Sequence, residues 1–300
     1  MAVNDATRAG IALHESTIAT VHGTIAALRG GVPGAPRVLA LHGWLDNAAS
    51  FVPLAAHLHG IELVAFDLPG HGRSPRLPPG ADYSFAGTLH TVLDVADALG
   101  WQRFALLGHS MGAGIASLIA AGAPERVERL LAIEALGALP DTAAHTVPRL
   151  RAAVAATREL PSKRLRVFAD LAPAIHARML ANGLSETVAR LLVTRGVRAV
   201  DGGFEWSSDP RLTLPTMVRM THAQVRAMIG GIDCPTRVIY ADPPQVYLPE
   251  PLRSEHAALL SHGEVIVIPG THHLHMEQPA AVAAAIGGFF LTAAAPQAGG

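Results

Sequence analysis

Cysteine is almost missing from this chain: Cys234 is the one thiol in 300 residues, so no intrachain disulfide can form and a disulfide-stapled scaffold is excluded. Net charge is missing too. The 23 Lys and Arg against 24 Asp and Glu leave −1 at neutral pH, which removes the electrostatic case for a nucleic-acid partner, because phosphate binding needs a basic excess. Charged residues make up only 16% of the chain and hydrophobic ones 50%, a balance that supports a large buried core and excludes a mainly disordered chain. No apolar run of signal-peptide length opens the sequence, where Asp5 and Arg8 stand, and the expected location is cytoplasmic. Two stretches run long without charge, 104–123 and 278–300. Gly108, His109, Ser110 and Gly112 break the first, and Pro279, Gly287, Gly288 and Pro296 break the second, so they read as a strand plus helix and as a closing helix. No stable membrane association is expected.

What the chain does have is alternation. Continuous apolar runs at 37–42, 63–67, 104–108, 130–134, 236–241 and 265–268 have the character of parallel strands buried on both faces. Ala- and Leu-rich segments of helical length, such as 47–58, 84–99 and 111–121, separate them. This pattern predicts an α/β fold, a mainly parallel sheet with helices on both faces. Ahead of it, 17–28 alternates around His22 and Gly23, as an antiparallel hairpin at one sheet edge would.

The alternation stops after Glu134 and resumes near Thr236. Residues 141–228 show helix-like Arg, Ala and Leu periodicity punctuated by Pro148, Pro161, Pro173 and Pro215, with no convincing strand. The expected organisation is a core of residues 1–136 and 231–300 and a helical cap, 137–230, over the C-terminal edge of the sheet. The cap carries 13 Lys and Arg against 7 Asp and Glu, and the remainder 10 against 17. That imbalance reads first as attraction between two parts that dock, and second as a mild preference for anionic substrates.

Four motifs follow predicted strands. Gly108-His109-Ser110-Met111-Gly112 sits between a buried strand and a helical run, where a sharp turn lifts a serine hydroxyl above the sheet edge and glycines avoid the clashes of that turn. His42-Gly43-Trp44-Leu45-Asp46-Asn47 follows an earlier strand; a His-Gly-x turn there can aim a backbone N–H at a developing oxyanion, so Trp44 and Met111 are the two candidate donors. Asn47 reads as a helix cap. The loop 67–74, Asp67-Leu68-Pro69-Gly70-His71-Gly72-Arg73-Ser74, reads as turn geometry. Last comes Pro269-Gly270-Thr271-His272-His273-Leu274-His275, a loop able to bring an imidazole beside the serine as general base. Three histidines in four positions raise the question of a metal, but no second ligand cluster accompanies them in the sequence, and no metal is expected.

The order and spacing of these motifs resemble the α/β-hydrolase superfamily over nearly the whole chain, and 42–51, 67–74 and 272–279 look most like its serine-hydrolase-like branch. The resemblance implies an eight-stranded, mostly parallel sheet, a cap between strands six and seven, no cofactor, and Ser110 as nucleophile. It also implies His272 as general base, the histidine seven residues before Pro279, with His273 and His275 left as loop or pocket-lining residues. The triad acid is less direct. Many members carry it as the last residue of a Gly-x-x-Asp turn after strand seven, and here that turn reads Ala241-Asp242-Pro243-Pro244, with Pro244 in the slot. Haloalkane-dehalogenase-like members place the acid at the end of strand six, which here is Glu134. Glu134 is the expected acid and Asp242 the alternative. The activity implied is hydrolysis of a carboxylic ester or similar small, largely apolar acyl compound; C–C bond or thioester hydrolysis on the same triad, and a non-catalytic ligand-binding receptor, are the other readings.

Overall fold

The computed structural model describes residues 10–21, 23–160 and 165–291. The chain opens with β1 (His14–Thr20) and β2 (Gly23–Gly31), an antiparallel pair in the register Ile18 to Ile25. This is the hairpin read from the alternation; His22 at its turn lies outside the described residues. Then follow β3 (Arg37–Leu41), a short helix α1 (Val52–Ala55) preceded by a 3₁₀ turn, β4 (Glu62–Phe66), α2 (Thr88–Ala98), β5 (Phe104–His109), α3 (Met111–Gly122) and β6 (Val127–Ile133). Segment 47–58, expected as one helix, is thus a 3₁₀ turn and a single α-turn. Asn47 caps it, its side chain accepting from the Ala49 N–H.

Between β6 and the next sheet strand come α4 (Thr146–Glu159), α5 (Ala172–Asn182), α6 (Glu186–Gly196), β7 (Val197–Val200), β8 (Gly203–Trp206) and α7 (His222–Gly230). The chain then returns through β9 (Thr236–Asp242), α8 (Leu252–Ala257), β10 (Gly263–Pro269), α9 (Leu274–Glu277) and α10 (Pro279–Ile286). The inserted stretch therefore contains a strand pair where none was expected. Four residues per strand are too few to establish a period-two signal, but Asp201-Gly202 between them is a strong short-range hairpin turn, and Gly202 takes the φ of 84° such a turn needs. Segment 278–300 forms a helix only as far as Ile286, and Pro161 and residues 292–300 lie outside the described residues.

Eight strands form one sheet in the order β1-β2-β4-β3-β5-β6-β9-β10, parallel from β4 to β10. The central strands are buried from end to end because helices cover both faces. On one face Leu39, Leu41, Phe66, Leu106 and Leu130 pack with Val92 and Val95 of α2, Ile115 and Ile119 of α3 and Val225 and Ile229 of α7. On the other, Val38, Leu63, Leu107, Leu131 and Ile239 pack with Phe51, Leu54, Val282 and Ile286. A third cluster, Phe168, Ile175, Val188, Leu192 and their neighbours, belongs to the inserted helices and touches the rest through Met276. Parallel strands put all their C-terminal ends on one edge, and the loops there hold the candidate site.

Candidate active site

Ser110 bridges β5 and α3 with φ 53° and ψ −118°, in the left-handed half of conformational space where a non-glycine residue is strained. Neighbouring hydrogen bonds hold it there. Its N–H donates to Ile133 O at 2.8 Å, and its own carbonyl accepts from Ala113 N and Gly114 N at 2.9 and 3.1 Å. The flanking glycines are needed for contact: a Cβ on Gly108 would lie 2.4 Å from Ala113 Cα, and one on Gly112 would lie 2.0 Å from Leu41 O. Met111 opens α3, and an N–H in that first turn has no acceptor within its own helix.

His272, in the loop after β10, places Nε2 2.9 Å from Ser110 Oγ and Nδ1 3.1 Å from Glu134 Oε2. Glu134 follows β6 directly, is fully buried, and takes φ 61°. Its N–H donates to Ile239 O at 2.9 Å, which ties it to β9. Its second carboxylate oxygen, Oε1, accepts from Ala241 N at 2.5 Å and lies 3.5 Å from Arg253 Nη2, and Arg253 Nη1 donates to Ala241 O at 2.7 Å. The carboxylate is thus oriented on both oxygens. Burial pushes the His272 pKa below the ordinary value, and the bond to Glu134 opposes that shift. The imidazole is neutral at neutral pH, the form that can take a proton.

Asp242 stands elsewhere. It is exposed at the end of β9, its carbonyl accepts from Gly270 N, and its side chain makes no hydrogen bond among the described residues. Of the two candidate acids the structure brings Glu134, not Asp242, to His272. Tyr247 was not foreseen: its hydroxyl lies 3.1 Å from His272 Nδ1 and 3.3 Å from Nε2, and burial raises its pKa to about 12. No motif flags it, since it sits in an irregular loop between β9 and α8.

The first loop folds around buried polar groups. His42 Nδ1–H donates to Gly43 O at 2.8 Å and Nε2 accepts from Leu68 N at 3.0 Å, which locks the loops after β3 and β4 together. The Asp67 carboxylate accepts from Ala48 N, Arg73 N and Arg195 Nε. Trp44 is half exposed, and its indole N–H reaches across to Leu212 O of the inserted segment. Asn47, besides capping, donates to Leu192 O. Some of the inserted segment's arginines dock it to the rest: Arg195 pairs with Asp67 and Glu15, and Arg178 with Asp46, while Arg149, Arg190 and Arg198 pair with acids of the segment itself. A small cavity of about 20 Å³ lined by Asp46, Asn47, Arg178 and Trp206 lies at that boundary. His109, His273 and His275, beneath the His272 loop, are buried rather than pocket-lining. Among the described residues Asp46, His109 and His273 are grouped closely enough to hold a metal ion. No helix among the described residues is long and apolar enough to cross a membrane.

An eight-stranded, mostly parallel sheet with a strained serine at the β5–α3 turn and a histidine within hydrogen-bond reach after the last strand defines the class of α/β hydrolases. A family model described as the alpha/beta hydrolase fold matches residues 36–185. A serine hydrolase-like protein of Dictyostelium discoideum is 32% identical over 82% of this chain and 72% of its own length. The crystal structure of a hypothetical protein of Pseudomonas aeruginosa is 39% identical with a TM-score of 0.87, covering 93% of this chain and 98% of that one. A thioesterase domain from the curacin biosynthetic pathway is 28% identical with a TM-score of 0.79, covering 94% and 100%. The chain belongs to the α/β-hydrolase family, in its serine-hydrolase-like branch.

Proposed function

We propose that the protein is a serine esterase that hydrolyses small, largely apolar carboxylic esters through an acyl-enzyme, with Ser110, His272 and Glu134 as the triad. The observation that carries this reading is the pair of distances at His272, 2.9 Å to the serine hydroxyl on one ring nitrogen and 3.1 Å to a fully buried carboxylate on the other. Ser110 Oγ attacks the acyl carbon while His272 takes its proton; His272 then returns the proton to the departing alkoxide, and a water repeats the sequence to release the acid. Glu134 holds Nδ1 as the donor, leaving Nε2 free to accept, and offsets the charge of the imidazolium. The N–H groups of Met111 and Trp44 meet the oxyanion, aided by the N-terminus of α3. Residues 137–230 act as the cap that selects the acyl group. No cofactor is required, and a cytoplasmic setting suits a chain whose single cysteine is buried.

The likeness to a thioesterase domain supports acyl thioesters as a second substrate class on the same triad. The test is active-site labelling with a fluorophosphonate, followed by p-nitrophenyl esters and acyl thioesters of increasing chain length. Wild-type protein should label at Ser110 and turn over short or medium acyl chains, and Ser110→Ala should lose both. Folded wild-type protein that neither labels nor turns over any of them would favour a ligand-binding receptor.

A further inference from the structure

Beneath the loop that carries His272, three buried side chains converge that the proposed hydrolysis does not use. Asp46 Oδ2 lies 3.3 Å from His273 Nε2 and 3.7 Å from His109 Nδ1, and one donor atom from each residue falls within 4.8 Å of the others. Their protonation is over-determined. His109 Nε2 is 2.8 Å from the carbonyl oxygen of His272, which can only accept, so Nε2 carries the proton. In the neutral ring Nδ1 is then a bare lone pair; it has no hydrogen-bond partner, and a carboxylate oxygen lies close by. Two acceptors that near each other in a dry site are costly unless a cation lies between them.

We propose that Asp46 Oδ2, His109 Nδ1 and His273 Nε2 form a binding site for one divalent transition-metal ion, zinc by preference. Two imidazoles and a carboxylate are a donor set zinc accepts readily. With bonds of 2.0–2.1 Å, donors of a tetrahedral site stand about 3.4 Å apart. The 3.3 Å edge already matches, the 3.7 Å edge closes with a shift of a few tenths of an ångström, and the third, between the two histidines, lies within 4.8 Å and closes as the rings turn onto the ion. Two of the three ligands have the supporting contacts of a metal site. A ligating imidazole ordinarily donates its other N–H to a carbonyl, as His109 does to His272, and the second oxygen of Asp46 is held by Arg178. Gly43 leaves room: a Cβ there would stand 2.9 Å from Asp46 Oδ2 and 3.1 Å from His109 Nδ1. The site is independent of the hydrolase reading, since none of its three ligands takes part in the proposed acyl transfer.

The experiment is a titration of full-length, chelator-dialysed protein with Zn²⁺ by calorimetry and with Co²⁺ by visible absorption. Expected are one equivalent of Zn²⁺, Co²⁺ bands of the intensity that four- or five-coordinate sites give, and displacement of Co²⁺ by Zn²⁺. His273→Gln and Asp46→Asn should each weaken Zn²⁺ binding by at least about tenfold. Gly43→Ala, which fills the open space without removing a ligand, should weaken it too and serves if Asp46→Asn does not fold. His272→Gln and the exposed His57→Gln should leave it unchanged. Failure of the folded wild type to bind one equivalent overturns the proposal, as does binding retained in both His273→Gln and Gly43→Ala. Loss of binding in His272→Gln alone would place the ion on the serine's partner and overturn it equally.

Discussion

Glu134 and Asp242 lie on the same edge of the sheet, at the ends of neighbouring strands, and position along the chain cannot separate them. Their surroundings can. Glu134 is fully buried with one oxygen on His272 and the other on the Ala241 N–H, whereas Asp242 is exposed and unbonded. Glu134→Gln would keep the shape but present an amide N–H to Nδ1, turning the imidazole to the tautomer that cannot take the serine's proton. Turnover of p-nitrophenyl esters should fall roughly a thousandfold, and Asp242→Asn should cost less than about tenfold. The reverse ranking would displace Glu134 from the triad. The pH profile reports the same groups. A base must be neutral to act, and burial lowers the His272 pKa, so kcat/KM should be flat near neutrality and fall only below pH 6.5. Because the bond to Glu134 raises that pKa, the residual activity of Glu134→Gln should lose its acid limb at a still lower pH. An acid limb centred above pH 6.5 in wild-type protein would contradict the burial argument.

At the scale of elements, the inserted segment is held to the core by buried charge as well as by apolar contact. Arg195 at the end of α6 reaches Asp67 and Glu15, and its side chain and that of Asp67 are nearly inaccessible. Removing one member of a buried pair strands the other, so Arg195→Met should lower stability by about 3 kcal/mol in urea unfolding. Arg190→Met, which breaks an exposed pair with Glu186 within the same helix, should stay within about 0.5 kcal/mol. Equal effects would mean that the buried contact contributes nothing special. If the segment is the cap, replacing side chains of α5 and α6 that face the core should change the ranking among esters of different acyl length. An unchanged ranking, together with a shift on replacing Trp44, would assign acyl selection to the loop after β3 instead.

The whole molecule carries a group of histidines kept neutral by burial. His42 is lowered to about 4 and His71 to about 3, and His109, His256, His272 and His275 are lowered as well. Each has a folded pKa below its unfolded value of about 6.5, so the unfolded chain binds more protons in acid. The stability they contribute is fully present above pH 6.5 and is lost as pH falls toward 4 and 3. For His42 and His71 that interval costs about 1.4 kcal/mol per pH unit each. Thermal unfolding followed by circular dichroism should show a plateau in Tm above pH 6.5 and a steep decline below it; a Tm flat down to pH 4 would mean these rings are not buried neutral.

Much of this protein is legible along the chain. Buried strands on both faces of a sheet must be continuously apolar, so five core strands stand out of the sequence, while the run 265–268, expected to be buried as well, is the largely exposed edge strand β10; a strained strand-to-helix turn must have small residues beside it, so Gly108 and Gly112 single out Ser110. Ser110 and Glu134 sit directly after strands, and His272 three residues after one, where local pattern is strong. The β7–β8 pair was missed because four-residue strands carry too little periodicity, although Asp201-Gly202 signalled their turn. Tyr247, Arg253 and the grouping of Asp46, His109 and His273 were hidden for a different reason. They meet across separations of 25 to 227 residues, and such encounters are decided by the register of the parallel strands and by the packing of loops at their ends. Composition and spacing determined the layers and marked the strained serine. Which carboxylate faces His272, and which histidines share a buried carboxylate, only the tertiary structure decided, because distance in space between loops on one sheet edge has no counterpart in distance along the chain.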